Sequence, residues 1–304
     1  MVGCLFQWTA NRGVWFQQER LHHIKCLELM AGRFAKKSYC KNETSIQLKL
    51  LIDNTKAIAY INRVGGLSPI LASLGFDIWQ WCLQREISLS AQHIPGIQNS
   101  TAVHQSRVHR DSSHWKLTSS VFSLLNNLWG PLQMDLFATR LTDQLPGFVS
   151  WRPDTEAEAT AAFSQDWTPS KGYAFHPFNL ISRCLIQVGE QNVDQLCIVT
   201  QIWETQPWYP LLMEVSIDYP RLFPMSPRIL NKGETVHPFP HLQLAGWLVS
   251  ANATLHFGFQ SRLKTYSCQS GVIKPLATMG QPGGCGVVGV INIKSIHFLP
   301  IFKT

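Results

Sequence analysis

Apolar positions recur at intervals of three and four along residues 21–40, at Leu21, Ile24, Cys26, Leu27, Met30, Phe34 and Ala35. That spacing predicts an amphipathic helix, and Lys36 and Lys37 fall in its last turns, where the helix dipole favours cations. Residues 45–52, SIQLKLLI, alternate and then become continuously apolar, as in a strand that enters a core. Asp53-Asn54-Thr55 follows at its carboxyl end. A short helix is predicted over 55–62, broken by Gly65-Gly66. Ser68 as cap and Pro69 in the first turn open a further helix over 68–86. Residues 87–94 read as a second strand, closed by Pro95-Gly96. Residues 113–129 place Trp115, Val121, Phe122, Leu125, Leu128 and Trp129 on one helical face.

From Gly130 the texture changes. Short apolar pieces (MDLFA, GFVSW, QLCIVT, IWETQPWYPLL) alternate with Pro-rich turns, and helical pieces are predicted near 155–163 and 178–188. After Ile229 the pattern loosens. Residues 231–304 have little periodicity, and 280–289 (GQPGGCGVVG) are glycine-rich. They read as a linker or weakly ordered tail. The strand–helix alternation predicts an α/β protein with three regions, 1–110, 111–230 and 231–304.

Composition changes this picture in two respects. Charged residues are 15% of the 304 against 45% hydrophobic, which excludes wholesale disorder. The formal net charge of +7 divides into +7, −5 and +5 over the three regions, so the basic first region is compatible with a nucleic-acid partner. The eight cysteines are scattered with no C-x-x-C, which argues against a zinc ribbon, a redox pair or a disulfide framework. Cys26 and Cys82 read as buried thiols. No signal-peptide pattern opens the chain, and no run approaches about 18 apolar residues. A reducing compartment, cytoplasmic or nuclear, is the expectation.

Strand, Asp53 at its carboxyl end, helix: ligands in open α/β sheets sit outside such strand ends. Glu28 lies mid-helix, and if that helix crosses the sheet it can project toward Asp53. Two-metal nucleases hold two ions between several carboxylates, so this pair is a candidate metal site. A strand-end Asp before Asn-Thr is also, and more often, a helix cap or turn residue.

The order LELMA, then LLIDNTKAIAYINRVGG, then IWQWCLQREISLSAQHIPGIQNSTAVHQSR resembles the ribonuclease H domain of retrotransposon polyproteins, in particular the tyrosine-recombinase elements of the DIRS class. The resemblance covers residues 8 to about 110. It implies a mixed sheet with flanking helices, and four acidic residues that bind two Mg²⁺ and cut the RNA strand of an RNA–DNA hybrid. Glu28 matches the helix glutamate and Asp53 the aspartate of the DNxTA motif. Asn54, Thr55 and Arg107 are then the candidate nucleic-acid contacts. The family's first acid lies on a strand expected at or before Met1. The fourth, in an ADxxSR-like motif, is here Val103, which cannot coordinate metal. With Glu28 and Asp53 alone the metal set is incomplete, and the expectation is no ribonuclease H activity. His93 and His104 are the nearest bases and read as structural or surface histidines.

Residues 129–230 resemble the DIRS-class region downstream of ribonuclease H, which is similar, more distantly, to phage-type DNA adenine methyltransferases. Their (N/D)PP(Y/F) loop corresponds to Ala174-Phe175-His176-Pro177-Phe178. Phe175 cannot accept the adenine amino hydrogen bond, His176 replaces a proline, and no Gly-rich loop serves the methyl donor. Methyl transfer is not expected. Phe175 or Phe178 could stack on a base or simply pack in a core. Asp135 and Asp154 mark the old cofactor pocket or are turn carboxylates. The resemblance also expects an Asp at His114 and at Ala161, and three Asp positions filled by Val, His and Ala are the pattern of a decaying transposon copy.

The chain is therefore expected to be a retrotransposon-derived polyprotein fragment, truncated at both ends. Its first domain is a ribonuclease H-like, nucleic-acid-binding remnant lacking the first strand; a smaller, poorly defined α/β region follows. The alternatives are an active metal-dependent hybrid ribonuclease and a domesticated, non-catalytic nucleic-acid-binding module. No YxDD-like pair and no Arg…HxxR…Tyr order occurs, which excludes a reverse transcriptase or recombinase centre.

Overall fold

The computed structural model describes residues 2–6, 9–13, 15–107, 115–226, 228–231, 242–265, 287–291 and 294–302. The chain divides into two compact units, Met1–Asp111 with Arg152–Ala157, and Ser112–Trp151 with Glu158–Thr304.

The first unit opens with an antiparallel hairpin, β1 (Val2–Phe6) and β2 (Thr9–Gly13). Helix α1 (Ile24–Tyr39) follows, then β3 (Gln47–Ile52), α2 (Thr55–Arg63), α3 (Pro69–Leu83), β4 (Ser88–His93) and α4 (Ser100–Arg107). Strands β3 and β4 pair in parallel, from Gln47 opposite Ser88 to Ile52 opposite His93. The single mixed sheet expected for this region is thus seen as two separate ladders. Cys26 and Leu29 of α1, Ile61 of α2, Ile78 and Cys82 of α3, and Leu48, Leu89 and Ala91 of the strands close one core. Cys26 and Cys82 are buried free thiols, as their spacing predicts. Leu21 is not on the apolar face: it sits in a 3-10 turn before α1 and is 84% exposed. The helix starts later because His23, not an earlier residue, caps it by accepting from the Lys25 N–H.

The second unit begins with β5 (Lys116–Leu117) and α5 (Ser119–Trp129). The helix predicted over 113–129 is therefore shorter: Lys116-Leu117 pair instead with Asn231 and Leu230 of β12 (Leu230–Asn231). The remaining elements are β6 (Met134–Asp135), β7 (Gly147–Ser150), β8 (Ala159–Thr160), β9 (Gly172–Ala174), α6 (Ile181–Glu190), β10 (Leu196–Gln201), α7 (Tyr209–Glu214), β11 (Arg221–Leu222), β13 (Leu244–Val249), α8 (Ala253–Arg262), β14 (Lys264–Thr265), β15 (Val287–Ile291), β16 (Lys294–His297) and β17 (Leu299–Pro300). Eight strands form one sheet in the order β17-β11-β13-β10-β9-β6-β7-β8. The strands from β8 to β10 are mutually parallel, β13 runs antiparallel to β10 and to β11, and β17 is parallel to β11.

This corrects three expectations. The second region is the larger architecture, not a smaller, poorly defined one, and several of its strands are only two residues long, too short to leave a period-two signature. Leu244–Val249, expected in a linker or weakly ordered tail, is an interior strand with six consecutive buried residues. A strand covered on both faces is continuously apolar and has no alternation to read. Residues 155–163, predicted helical, hold β8 and a 3-10 turn over Ala162–Ser164. The glycine-rich stretch up to 286 and His114 lie outside the described residues.

Both sheet faces are packed. Leu196 and Ile198 of β10 join Cys184, Leu185 and Val188 of α6 on one side, while Cys197 and Val199 join Val121, Phe122 and Leu125 of α5 on the other. On β13, an added Cβ at Gly246 would stand 2.9 Å from Leu125 Cδ2 and 3.3 Å from the Phe223 ring, so the absence of a side chain lets α5 close on the sheet.

Candidate functional site

Two strand-end sites exist, one in each unit. In the first, β3 and β4 end together at Ile52 and His93, and the chain turns at Asp53-Asn54 into α2. Asn54 Oδ1 accepts from the Lys56 N–H at 2.9 Å and the Ala57 N–H at 3.2 Å, so it is the α2 cap. Its amide Nδ2 donates to Glu28 Oε2 of α1. Asp53 is exposed, and its Oδ2 accepts from Asn99 Nδ2 at 3.4 Å. Partial burial raises the Glu28 carboxyl above its ordinary range. The Asn54 amide pulls it back, the Asp53 charge raises it further, and His23 lowers it.

Glu28 and Asp53 are thus neighbours, with Asn54 between them. Thr55, the first residue of α2, is exposed. His93 and His104 are exposed, as surface histidines. Val103 and Arg107 lie on α4, and their side chains fall outside the described residues. Among the described residues no three His, Cys, Asp or Glu side chains cluster as a metal site. The pair of Mg²⁺ ions that the resemblance implies is held between several carboxylates, with water and substrate phosphate filling the rest of each ion's shell. Two carboxylates, each facing an amide donor, do not fit a two-ion centre. Asn99 was not legible as part of this site; it follows the turn after β4, where no spacing rule reaches. The amide-to-carboxylate role of Asn54 was likewise hidden behind its cap signature.

The second site lies where the large sheet reverses its order. From β6 the chain proceeds outward to β7 and β8, then returns to place β9 on the other side of β6. Ligands of doubly wound sheets bind outside the carboxyl ends of strands at such a reversal. Asp135 ends β6 and is 2% exposed, so it is not a surface turn carboxylate. Among the described residues it accepts from the Phe137 N–H at 3.3 Å and the Gln144 N–H at 3.2 Å. Burial raises its pKa to about 7 against those bonds. Its cross-strand partner is Tyr173, whose buried hydroxyl has no hydrogen-bond partner among the described residues. Asp154 falls in the segment that groups with the first unit.

Past β9 come Phe175, His176, Pro177 and Phe178. His176 is 4% exposed, packed edge-on to Phe137. Its Nδ1 lies 2.9 Å from the Pro177 carbonyl, which can only accept, so Nδ1 carries the proton. Nε2 has no partner among the described residues, and burial lowers the imidazole to about 4. Phe175, Phe178 and Trp203 form a chain of edge contacts, with centroids 6.5 and 6.1 Å apart. Trp203 is 45% exposed. It follows β10 and was not among the sequence candidates. No helix among the described residues is long and apolar enough to cross a membrane.

A scan against protein-family models finds no match, and a search of the curated proteins finds none.

Proposed function

We propose that the first unit is a nucleic-acid-binding remnant of a ribonuclease H-like domain from a DIRS-class retrotransposon polyprotein, and that it holds an RNA–DNA hybrid without cutting it. The observation that carries this reading is the Asn54 amide bonded to Glu28. A carboxylate in a two-metal centre faces cations. Here the half-buried Glu28 is satisfied by a neutral donor from the neighbouring motif residue, and Asp53 by the amide of Asn99. Each acid of the pair has an amide partner in place of a cation, and the position of the family's fourth acid is occupied by Val103. The basic balance of residues 1–110 favours polyphosphate binding by Lys and Arg.

A second, compatible reading concerns the other unit. The ledge of Phe175, Phe178 and Trp203 stands at the sheet reversal, in the stretch that resembles the methyltransferase loop. Aromatic side chains at a strand-end crevice stack on bases whatever their sequence. Phe175 stands where the methyltransferase loop needs a hydrogen-bond acceptor for the adenine amino group, which favours stacking on a base over methyl transfer.

The test is a binding titration of the full chain against an RNA–DNA hybrid, duplex DNA and single strands over a range of salt, with a Mg²⁺ cleavage assay on the same sample. Binding that weakens with salt, without cleavage, supports the proposal. Cleavage lost on Asp53→Asn would show an active nuclease instead.

A further inference from the structure

The two parallel strands of the first unit have unequal outer edges. Among the described residues β3 and β4 pair with each other and with no other strand, so each keeps one edge turned away from its partner. The Ser88 N–H donates to the Ile46 carbonyl at 2.9 Å and the Ile94 N–H to the Ile52 carbonyl at 3.0 Å. The even-numbered residues of β3 thus turn their backbone groups toward β4, and Gln47, Lys49 and Leu51 turn theirs outward. The same parity on β4 turns Ala91 outward. There Asn62 of α2 stands in for a neighbouring strand: its Oδ1 accepts from the Ala91 N–H and its Nδ2 donates to the Ala91 carbonyl, both at 2.8 Å. Among the described residues nothing does the same for Gln47, Lys49 or Leu51.

A row of outward N–H and C=O groups is a template for a further strand, and the side chains beside it select which strand. Leu48, Leu89 and Ala91 of the ladder face the core. On the other face Gln47, Lys49 and Leu51 are exposed, Leu51 at 54%. Their register partners Ser88, Ser90 and Gln92 are exposed beside them. That face carries one charge, the Lys49 ammonium in the middle of the open edge, and no carboxylate. A second copy of the chain does not suit it. The antiparallel register that uses all three outward residues sets Gln47 opposite Leu51 and each Lys49 opposite the other, and like charges directly opposite destabilise a strand pair. A carboxylate in that place reverses the sign of the term. An apolar residue two positions along the same strand falls on the same face and covers Leu51.

We infer that the outer edge of β3 takes up an extended acidic segment of another protein as an added strand. The segment's backbone bonds to Gln47, Lys49 and Leu51, its carboxylate faces the Lys49 ammonium, and an apolar side chain lies against Leu51. The inference goes beyond the nucleic-acid-binding reading and does not rest on it.

The experiment uses the full chain and a fluorescent, end-capped seven-residue peptide of threonines, with a central glutamate and a valine two residues to either side. Anisotropy at low salt should show binding by the native chain. A counterpart peptide with a central lysine should bind roughly threefold to tenfold more weakly. Lys49→Glu should reverse that order, and Lys49→Ala should level it. N-methylation of the glutamate peptide at one set of alternate residues should abolish binding, while N-methylation of the intervening residues should leave it, because an added strand uses only one edge of its backbone. Lys49→Pro removes an outward N–H and spares the bonds to β4, so it should weaken both peptides. Thermal melts check that each variant keeps its fold. Equal affinity for the two peptides, binding that survives both methylation patterns, or no binding up to about 1 mM peptide would overturn the inference. So would a dimer of the native chain in sedimentation that Lys49→Pro dissolves, since the occupant would then be a second copy.

Discussion

Asn54 serves two helices at once: its Oδ1 caps α2, and its Nδ2 donates to Glu28 in the middle of α1. Asp at position 54 keeps the capping oxygen but sets a third carboxylate against Glu28 and Asp53. Asn54→Asp should therefore destabilise the first unit by about 1–3 kcal/mol near neutral pH, the cost of an unmatched polar group. Adding Glu28→Gln should recover most of it, because the glutamine amide can donate where the carboxylate could not. A double-mutant cycle by urea unfolding checks this; additive losses would mean the two side chains are not coupled.

Asp135 should make the second unit less stable in alkali. Its folded pKa is raised from 3.8 to about 7, so folding favours the protonated form. The stability it contributes is full below about pH 4 and is lost as pH rises to about 7. The loss is on the order of 4 kcal/mol by pH 8. Asp135→Asn should raise the melting temperature at pH 8 and change it little at pH 4. Parallel pH profiles for the two proteins would contradict the burial of this carboxyl.

His176 acts in the opposite sense. Burial lowers it from 6.5 to about 4, so its contribution is present above about pH 6.5 and is lost as pH falls toward 4, to roughly 3 kcal/mol. Replacement of His176 by Leu should flatten the acid limb of the stability profile. An unchanged acid limb would locate that titration elsewhere.

Ala161 sits at φ 59 and ψ 81, before the 3-10 turn. A left-handed backbone strains an alanine by about 1–2 kcal/mol, and Asn or Asp tolerates it better. This is one of the positions where the resemblance expects an Asp. Ala161→Asp should stabilise the second unit by about 1 kcal/mol, measured as a shift in urea midpoint; a loss of stability would mean alanine suits the site.

The elements of the first unit were legible because each has enough length for its period to register: α1, α3, β3 and β4 run 6 to 16 residues. The Glu28–Asp53 proximity was legible too, from a mid-helix acid and a strand-end acid. What joins them was not, because the Asn54 amide and Asn99 are ordinary turn residues until the fold brings them in. In the second unit the sheet stayed hidden for a physical reason. Met134-Asp135 and Ala159-Thr160 are too short to carry a pattern, and β10 and β13 are buried on both faces, so helix and strand look alike there. Trp203 became a candidate only through its place beside Phe178.

The central claim is that the first unit binds a hybrid without hydrolysing it. Its most direct test follows a fluorescent RNA–DNA hybrid with the full chain in Mg²⁺, reading anisotropy and RNA length together. The expected result is binding at low salt that weakens at least about tenfold between 50 and 200 mM salt, with intact RNA throughout. RNA cleavage that Asp53→Asn abolishes, or no binding at low salt, would contradict the account.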